Sequence, residues 1–339
     1  MLKRLSINRE SLFSSKEGNK FPKAIVTLAD IKPYEADVDV IIGAHRQPEA
    51  VNVTIENYLA LEKKNRLHFF VIESSRNPLA YWKIRERECV SKVFILNNIR
   101  CTKKNYENVF WASNGAAIAA QIGTYLGCSR YAFFSHSDMM GYKENFLSFL
   151  LSKLDEKTPL ASFTQRHILP FSGGMLYDKN YFKSLNADWL PSSENFYNIP
   201  ELELLRNRIE HLNWIDAGEK LILAALQRGQ KAYVCASRGS TGDYYGHALT
   251  PYGLTNQEVS QLGVPIYYAP DLLSREAFKA KYPELATEKG PFWRQCFDDE
   301  GDVIFVHRGR GTSKGQRKDQ RGDFVSFVRE FNQRYTCPA

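Results

Sequence analysis

Along this chain the hydrophobic period changes again and again, and few folds can accommodate that. Short runs rich in β-branched and aromatic residues, Val38–Ala44 (VDVIIGA), Leu67–Ile72 (LHFFVI), Lys92–Leu96 and Tyr131–Ser135 (YAFFS), alternate with segments whose apolar residues recur at helical spacing. After the first run Pro48 and Glu49 open a helix, with Val51, Ile55, Tyr58 and Leu59 on its apolar positions. Before the fourth, Asn108–Leu126 reads as a long helix of small residues. Runs that are apolar throughout, rather than alternating, belong to strands covered on both faces. The pattern predicts an α/β fold with a mostly parallel sheet flanked by helices.

The second half is less regular. Helices are expected at Phe146–Leu154 and Asp216–Arg228, and strands at Leu160–Gln165, Gly173–Tyr177 and Lys231–Cys235. A Gly-, Tyr- and Pro-rich stretch, Ser237–Pro291, precedes a last strand at Val303–His307, a basic loop and a closing helix at Phe324–Tyr335. No repeat, low-complexity tract or linker interrupts the chain, so the expectation is one domain: a polar leader at 1–36, a core at 37–236 and a C-terminal part of the same domain at 237–339. The hydrophobic content of 43% supports a packed core and excludes disorder. The longest apolar stretches stop well short of the roughly 20 residues a bilayer-spanning helix needs. The leader lacks an apolar signal region, and the six cysteines are scattered singly, so the reading is a cytoplasmic chain with reduced thiols.

The net charge is +7, and its location matters more than its size. Between His307 and Arg321 the chain reads HRGRGTSKGQRKDQR, where six cations face the single Asp319. A neutral remainder with one basic segment points to a local anion site or an acidic membrane surface rather than a duplex-binding face. No nucleic-acid partner is expected.

Ligands of open parallel sheets bind beyond the carboxyl ends of the strands. Polar residues gather there: His45 and Arg46 after the first run, Glu73, Ser74, Ser75 and Arg76 after the second, and His136, Ser137 and Asp138 after the fourth. Any one such group is ordinary loop chemistry. Three on one edge mark a candidate site.

The order of these segments resembles the nucleotide-sugar-dependent glycosyltransferases of the GT-A fold, especially their family 2-like group. VDVIIGAHRQPEAVNVTIENYL is similar to that group's first strand and helix, and FFVIESSRNP to its second strand, where an acidic residue and small polar residues meet the nucleoside. ASNGAAIAAQIGTYLGCSRYAFFSHSD, which contains Asn114, resembles the helix and strand leading into the family's D-x-D motif. SGGMLYDKNYF, with Gly173 and Gly174, resembles a Gly-rich turn near the acceptor, and WIDAGEKLILAALQRGQKAYV an acidic motif with its helix and strand. HRGRGTS looks like a late loop bearing a histidine.

The resemblance implies a nucleotide-sugar donor, a saccharide or lipid-linked acceptor, and a divalent cation, Mn²⁺ or Mg²⁺, on the D-x-D carboxylates. Here that motif is His136-Ser137-Asp138, an imidazole standing where the first carboxylate belongs. By resemblance Asp138 is a metal ligand, with His136 and His307 as further candidates, because hard cations prefer carboxylate oxygen and imidazole suits softer ones. A metal-free enzyme with a satisfied loop histidine is the competing reading.

An inverting transfer needs a base for the acceptor hydroxyl. The resemblance assigns it to Asp216, with Glu219 in reserve, although D-x-x-E before an apolar helix is also close to a capping box. Arg308, Arg310 and Lys314 are suited to neutralise departing phosphate from a mobile lid, or form a solvated charge run. Gly173 and Gly174 suit close backbone approach to a sugar, or a plain turn. Trp214, Tyr244 and Tyr245 are stacking candidates, although such residues more often belong to the core. Competing classes are a sugar nucleotidyltransferase, which should carry an N-terminal Gly-rich phosphate loop that this chain lacks after Val38, and a non-catalytic glycan- or nucleotide-binding protein on the same scaffold. Peripheral attachment to an anionic membrane fits the basic segment.

Overall fold

The computed structural model describes residues 3–45, 47–74, 83–96, 111–163, 174–185, 187–191, 217–235, 237–239, 275–285, 294–308 and 318–336. A nine-stranded sheet runs in the order β1 (Lys3–Asn8), β2 (Ala24–Asp30), β5 (Val90–Ile95), β4 (Leu67–Glu73), β3 (Val38–Ala44), β6 (Tyr131–His136), β9 (Met175–Asp178), β8 (Leu160–Phe163), β10 (Ala232–Cys235). The central strands β5, β4, β3 and β6 are mutually parallel. Only β2 and β9 run against the rest of this sheet, so the mostly parallel α/β architecture expected from the sequence is what forms.

Helices cover both faces, which is why β4 is buried at every residue and β3 at all but one. On one face, α1 (Arg9–Leu12), α3 (Trp111–Leu126), α5 (Lys179–Ser184) and α6 (Glu219–Gln227) share a core with Ile41, Phe70 and Phe134. On the other, α2 (Pro48–Leu61), α4 (Phe146–Leu151), α7 (Arg275–Lys281) and α8 (Lys318–Thr336) pack with Val40, Ile42, Phe69 and Phe133. The small residues of α3 let it lie close to β3. A methyl group at Gly123 would come within 2.7 Å of Ile41 Cγ1.

A second, antiparallel sheet, β11 (Ser237–Gly239), β12 (Arg294–Phe297), β13 (Val303–His307) and β7 (Met139–Gly141), begins immediately after β6. Its β13 pairs Phe305 with Gly141 and His307 with Met139, which brings a C-terminal strand to the end of the central sheet.

Several details differ from the sequence expectation. Residues 3–30, expected as a polar leader, form the antiparallel strands β1 and β2 of the main sheet. An edge strand such as β1 buries only Ile7, so it carries no continuous apolar run to betray it. The short strands β7, β11 and β12 also lie outside the expectation, being three or four residues long. The third central strand starts at Val90, the helix after β7 ends at Leu151, and the last helix begins at Lys318.

The amino-terminal edge of the central strands is closed by a buried ionic network. Asp39 at the start of β3 accepts hydrogen bonds from Tyr34 Oη at 2.7 Å, Ser129 Oγ at 2.7 Å and Ser129 N at 3.0 Å, and pairs with Lys179 Nζ. Gly127 makes room for it, since any side chain there would collide with the Asp39 carboxylate. Among the described residues the cysteines carry free thiols, Cys235 and Cys296 buried and Cys128 exposed. No helix among them is long and apolar enough to cross a membrane.

Candidate functional site

At the opposite, carboxyl edge, β6 ends in His136 and turns through Ser137 and Asp138 into β7. The turn is clamped by α2 and the residue before it. Thr54 Oγ1 donates to the carbonyls of Ser137 (3.3 Å) and Met139 (3.0 Å), Ser137 Oγ donates to Gln47 Oε1 at 3.1 Å, and Tyr58 Oη lies 2.7 Å from Ser135 Oγ. Gln47, Thr54 and Tyr58 were missed by sequence reasoning. The available signal was polar Thr54 among the apolar positions of a helix, which in a packed interface needs a partner.

From the other side β13 delivers His307. The Arg308 amide donates to the Asp138 carbonyl at 2.9 Å, continuing the pairing of β13 with β7, and His307 Nε2 lies 3.4 Å from Asp138 Oδ1. The rings of His136 and His307 stand edge to face at 5.4 Å. One ligand atom from each of His136, Asp138 and His307 lies within 4.8 Å of the others. The three metal-ligand candidates of the sequence reading are therefore brought together, by strands whose ends, His136 and His307, are 171 residues apart in the chain. Asp138, His307 and Arg308 are buried, Arg308 completely.

Burial tends to raise the Asp138 pKa, but the charge and hydrogen bond of His307, with the charge of His136, outweigh it and hold the carboxyl at about 2. Burial, reinforced by His307 and opposed by Asp138, lowers the His136 pKa to about 4. Near neutral pH the cluster thus offers a carboxylate and, at His136, a neutral imidazole, the protonation forms that bind metal. This donor set fits a divalent cation.

The remaining candidates fall around this cluster in different ways. Glu73 is buried at the end of β4, in register with Ala44, and Ser74 N donates to the Ala44 carbonyl at 3.1 Å. His45 is exposed just beyond β3. Asn114 sits in the first turn of α3, next to Gly115, where a methyl group would approach Ser74 Oγ at 3.9 Å, so that turn faces the loop after β4. Gly174 takes φ 89°, a conformation that excludes most side chains, and donates at 2.7 Å to the carbonyl of Phe134, two residues before His136. Glu219 is buried at the start of α6, and Gly218 N donates to the Trp189 carbonyl at 3.1 Å. The Trp189 ring packs on Phe134 at 5.3 Å, and Phe134 on His136 at 5.5 Å, so the start of α6 shares a face of the sheet with the cluster. The capping-box expectation fails on spacing. Helix α6 begins at Glu219 itself, after Gly218 at φ 80°, so Glu219 is not three residues into the helix. Arg46, Ser75, Gly173, Asp216, Arg310 and Lys314, with Trp214, Tyr244 and Tyr245, lie outside the described residues.

A second acidic group, Asp298, Glu300 and Asp302 at the β12–β13 turn, is already engaged by lysines. Lys143 Nζ reaches all three at 2.7, 3.5 and 3.3 Å, and Lys281 pairs with Asp302.

No protein-family model matches the chain, and no curated protein matches it. Among solved structures, it is similar to the galactosyltransferase LgtC in complex with donor and acceptor sugar analogs (9% identity, 89% of this chain and 97% of that one, TM-score 0.47). It is also similar to the apo glycosyltransferase GlyE of Streptococcus pneumoniae (10%, 89% and 63%, TM-score 0.40). A third is the mannosyltransferase PcManGT of Pyrobaculum calidifontis with GDP-Man and Mn²⁺ (13%, 47% of this chain and half of that one, TM-score 0.35).

Proposed function

We propose that this protein is a nucleotide-sugar-dependent glycosyltransferase, of inverting type, that adds a sugar to a saccharide or lipid-linked acceptor in the building of cell-surface polysaccharide. The observation that carries the reading is the convergence of His136, Asp138 and His307 beyond the carboxyl ends of parallel strands, the edge at which open α/β sheets bind their ligands. Those three side chains would hold a divalent cation, which when bound supplies positive charge to the diphosphate of the donor.

In this reading Glu73, Ser75, His45, Arg46 and Asn114 line the nucleoside side. Gly173 and Gly174 let backbone approach the sugar. Arg308, Arg310 and Lys314 share the charge that develops on the departing phosphate. Asp216 takes the proton of the acceptor hydroxyl as the new glycosidic bond forms, with Glu219 as the reserve base. The basic segment beyond the buried Arg308, residues 310–321, suits weak contact with an anionic membrane carrying the acceptor.

The test is a thermal-shift series with UDP, GDP, CMP and dTDP, with and without Mn²⁺, followed by donor turnover in wild type and Asp216→Asn. One nucleotide should raise the melting temperature, more so with Mn²⁺, and Asp216→Asn should keep that shift while losing turnover. No shift and no turnover with any donor would sink the proposal. A shift without turnover in either protein would favour a binding protein on the same scaffold.

A further inference from the structure

We infer that the cation site is selective, through His136, for borderline d-block ions such as Co²⁺ and Zn²⁺ and against Mg²⁺ and Ca²⁺. The inference rests on the cation site of the proposed function and says which cations that site takes. Its basis is the donor set. Among the described residues, Asp138 is the one carboxylate in the cluster, and the other two ligand atoms are imidazole nitrogens. Mg²⁺ and Ca²⁺ are hard cations that bind through oxygen and draw much of their affinity from carboxylate charge. A site with one carboxylate and two imidazoles gives them one anionic oxygen only. Co²⁺ and Zn²⁺ bind imidazole nitrogen well, and Mn²⁺, which favours oxygen, falls between them and Mg²⁺.

Geometry makes the nitrogens hard to exchange for water oxygens. The His136 ring is wedged between Phe134 at 5.5 Å and His307 at 5.4 Å, edge to face with both. Its amide lies 3.1 Å from Met139 Sδ, which fixes the turn that carries it. His307 is held in register opposite Met139 at the end of β13. The same arrangement with Asp at position 136 would present two carboxylates and one imidazole, a set open to Mg²⁺. The identity of this one side chain therefore sets the class of cation.

The test needs no sugar donor. Metal-free full-length protein is titrated with Co²⁺ while its visible d–d absorption is followed, and Zn²⁺, Mn²⁺ and Mg²⁺ then compete; Mn²⁺ binding is read independently from loss of the free-ion EPR signal. Zn²⁺ should displace Co²⁺ near stoichiometry, whereas Mg²⁺ should leave the band in place at roughly 100-fold excess. His136→Asp should weaken Co²⁺ binding on the order of 10- to 100-fold, change the band and gain Mg²⁺ affinity. Displacement of Co²⁺ by Mg²⁺ at comparable concentration, failure of every d-block ion to bind, or an unchanged Co²⁺ spectrum in a folded His136→Asp variant would each overturn the inference. If that variant does not fold, the wild-type competition decides alone. Absence of glycosyl transfer with every donor would remove the proposed function and leave these titrations standing, so the two failures are told apart.

Discussion

Asp39→Asn offers a direct measure of what the buried network beneath the central strands contributes. Asp39 is fully buried and Lys179 is 2% exposed, so neither charge has water to fall back on. The substitution conserves shape, and the hydroxyls of Tyr34 and Ser129 can reorient around an amide, so the main loss is the counter-charge of Lys179. Burial already lowers the Lys179 pKa, opposed by the charge and hydrogen bond of Asp39. Without that opposition the ammonium is forced to neutralise on folding. From an ordinary value of 10.5, at about 1.4 kcal/mol per pH unit, this costs up to about 5 kcal/mol at pH 7 and about 2 kcal/mol at pH 9. The independent expectation for breaking a buried pair is about 3–5 kcal/mol. Urea unfolding of wild type, Asp39→Asn and the double variant Asp39→Asn, Lys179→Met at pH 7, 8 and 9 should show a large loss for the single variant that shrinks as pH rises. Removing the lysine as well should recover most of it. A loss under about 1 kcal/mol, or one equal at pH 7 and 9, would refute the argument that Lys179 is desolvated and dependent on Asp39. Cation binding per folded molecule should be unchanged, because His136 lies opposite Gly43, four residues and about 13 Å along β3 from Asp39.

Two further outcomes follow from single residues. His68, stacked on Tyr34 at 3.6 Å and with Nε2 2.9 Å from Ser91 Oγ, has its pKa lowered by burial, against the charge of Asp39, to about 4. The unfolded chain then binds the extra proton first, so stability is lost as pH falls from about 6.5 to 4, by up to about 3 kcal/mol, and His68→Gln should flatten that part of a pH series of urea midpoints. Thr54→Val removes the hydroxyl that donates to the Ser137 and Met139 carbonyls. It should cost about 1–2 kcal/mol of stability and weaken Co²⁺ binding, as read by the same absorption titration; unchanged affinity would show that the α2 clamp does not position the turn.

The layered architecture is already written in the order of the amino acids. Apolar runs such as LHFFVI can be satisfied only between two helical layers, and the helix patterns between them compel parallel neighbours, so the carboxyl edge and its residues Glu73, His136 and Asp138 are legible in the chain alone. Local periodicity has no purchase on the edge strand at Lys3–Asn8, whose one buried residue leaves no pattern, or on the three-residue strand at Met139–Gly141. The likeness to a known motif suggests His307 as a ligand, but its meeting with Asp138 waits on folding, because that contact depends on the pairing of β13 with β7 across about half the chain. Packing in three dimensions likewise chooses the partner of Lys179 and keeps His136 in its neutral, cation-binding form. Those are properties of burial and of groups distant in sequence, and a one-dimensional pattern records neither.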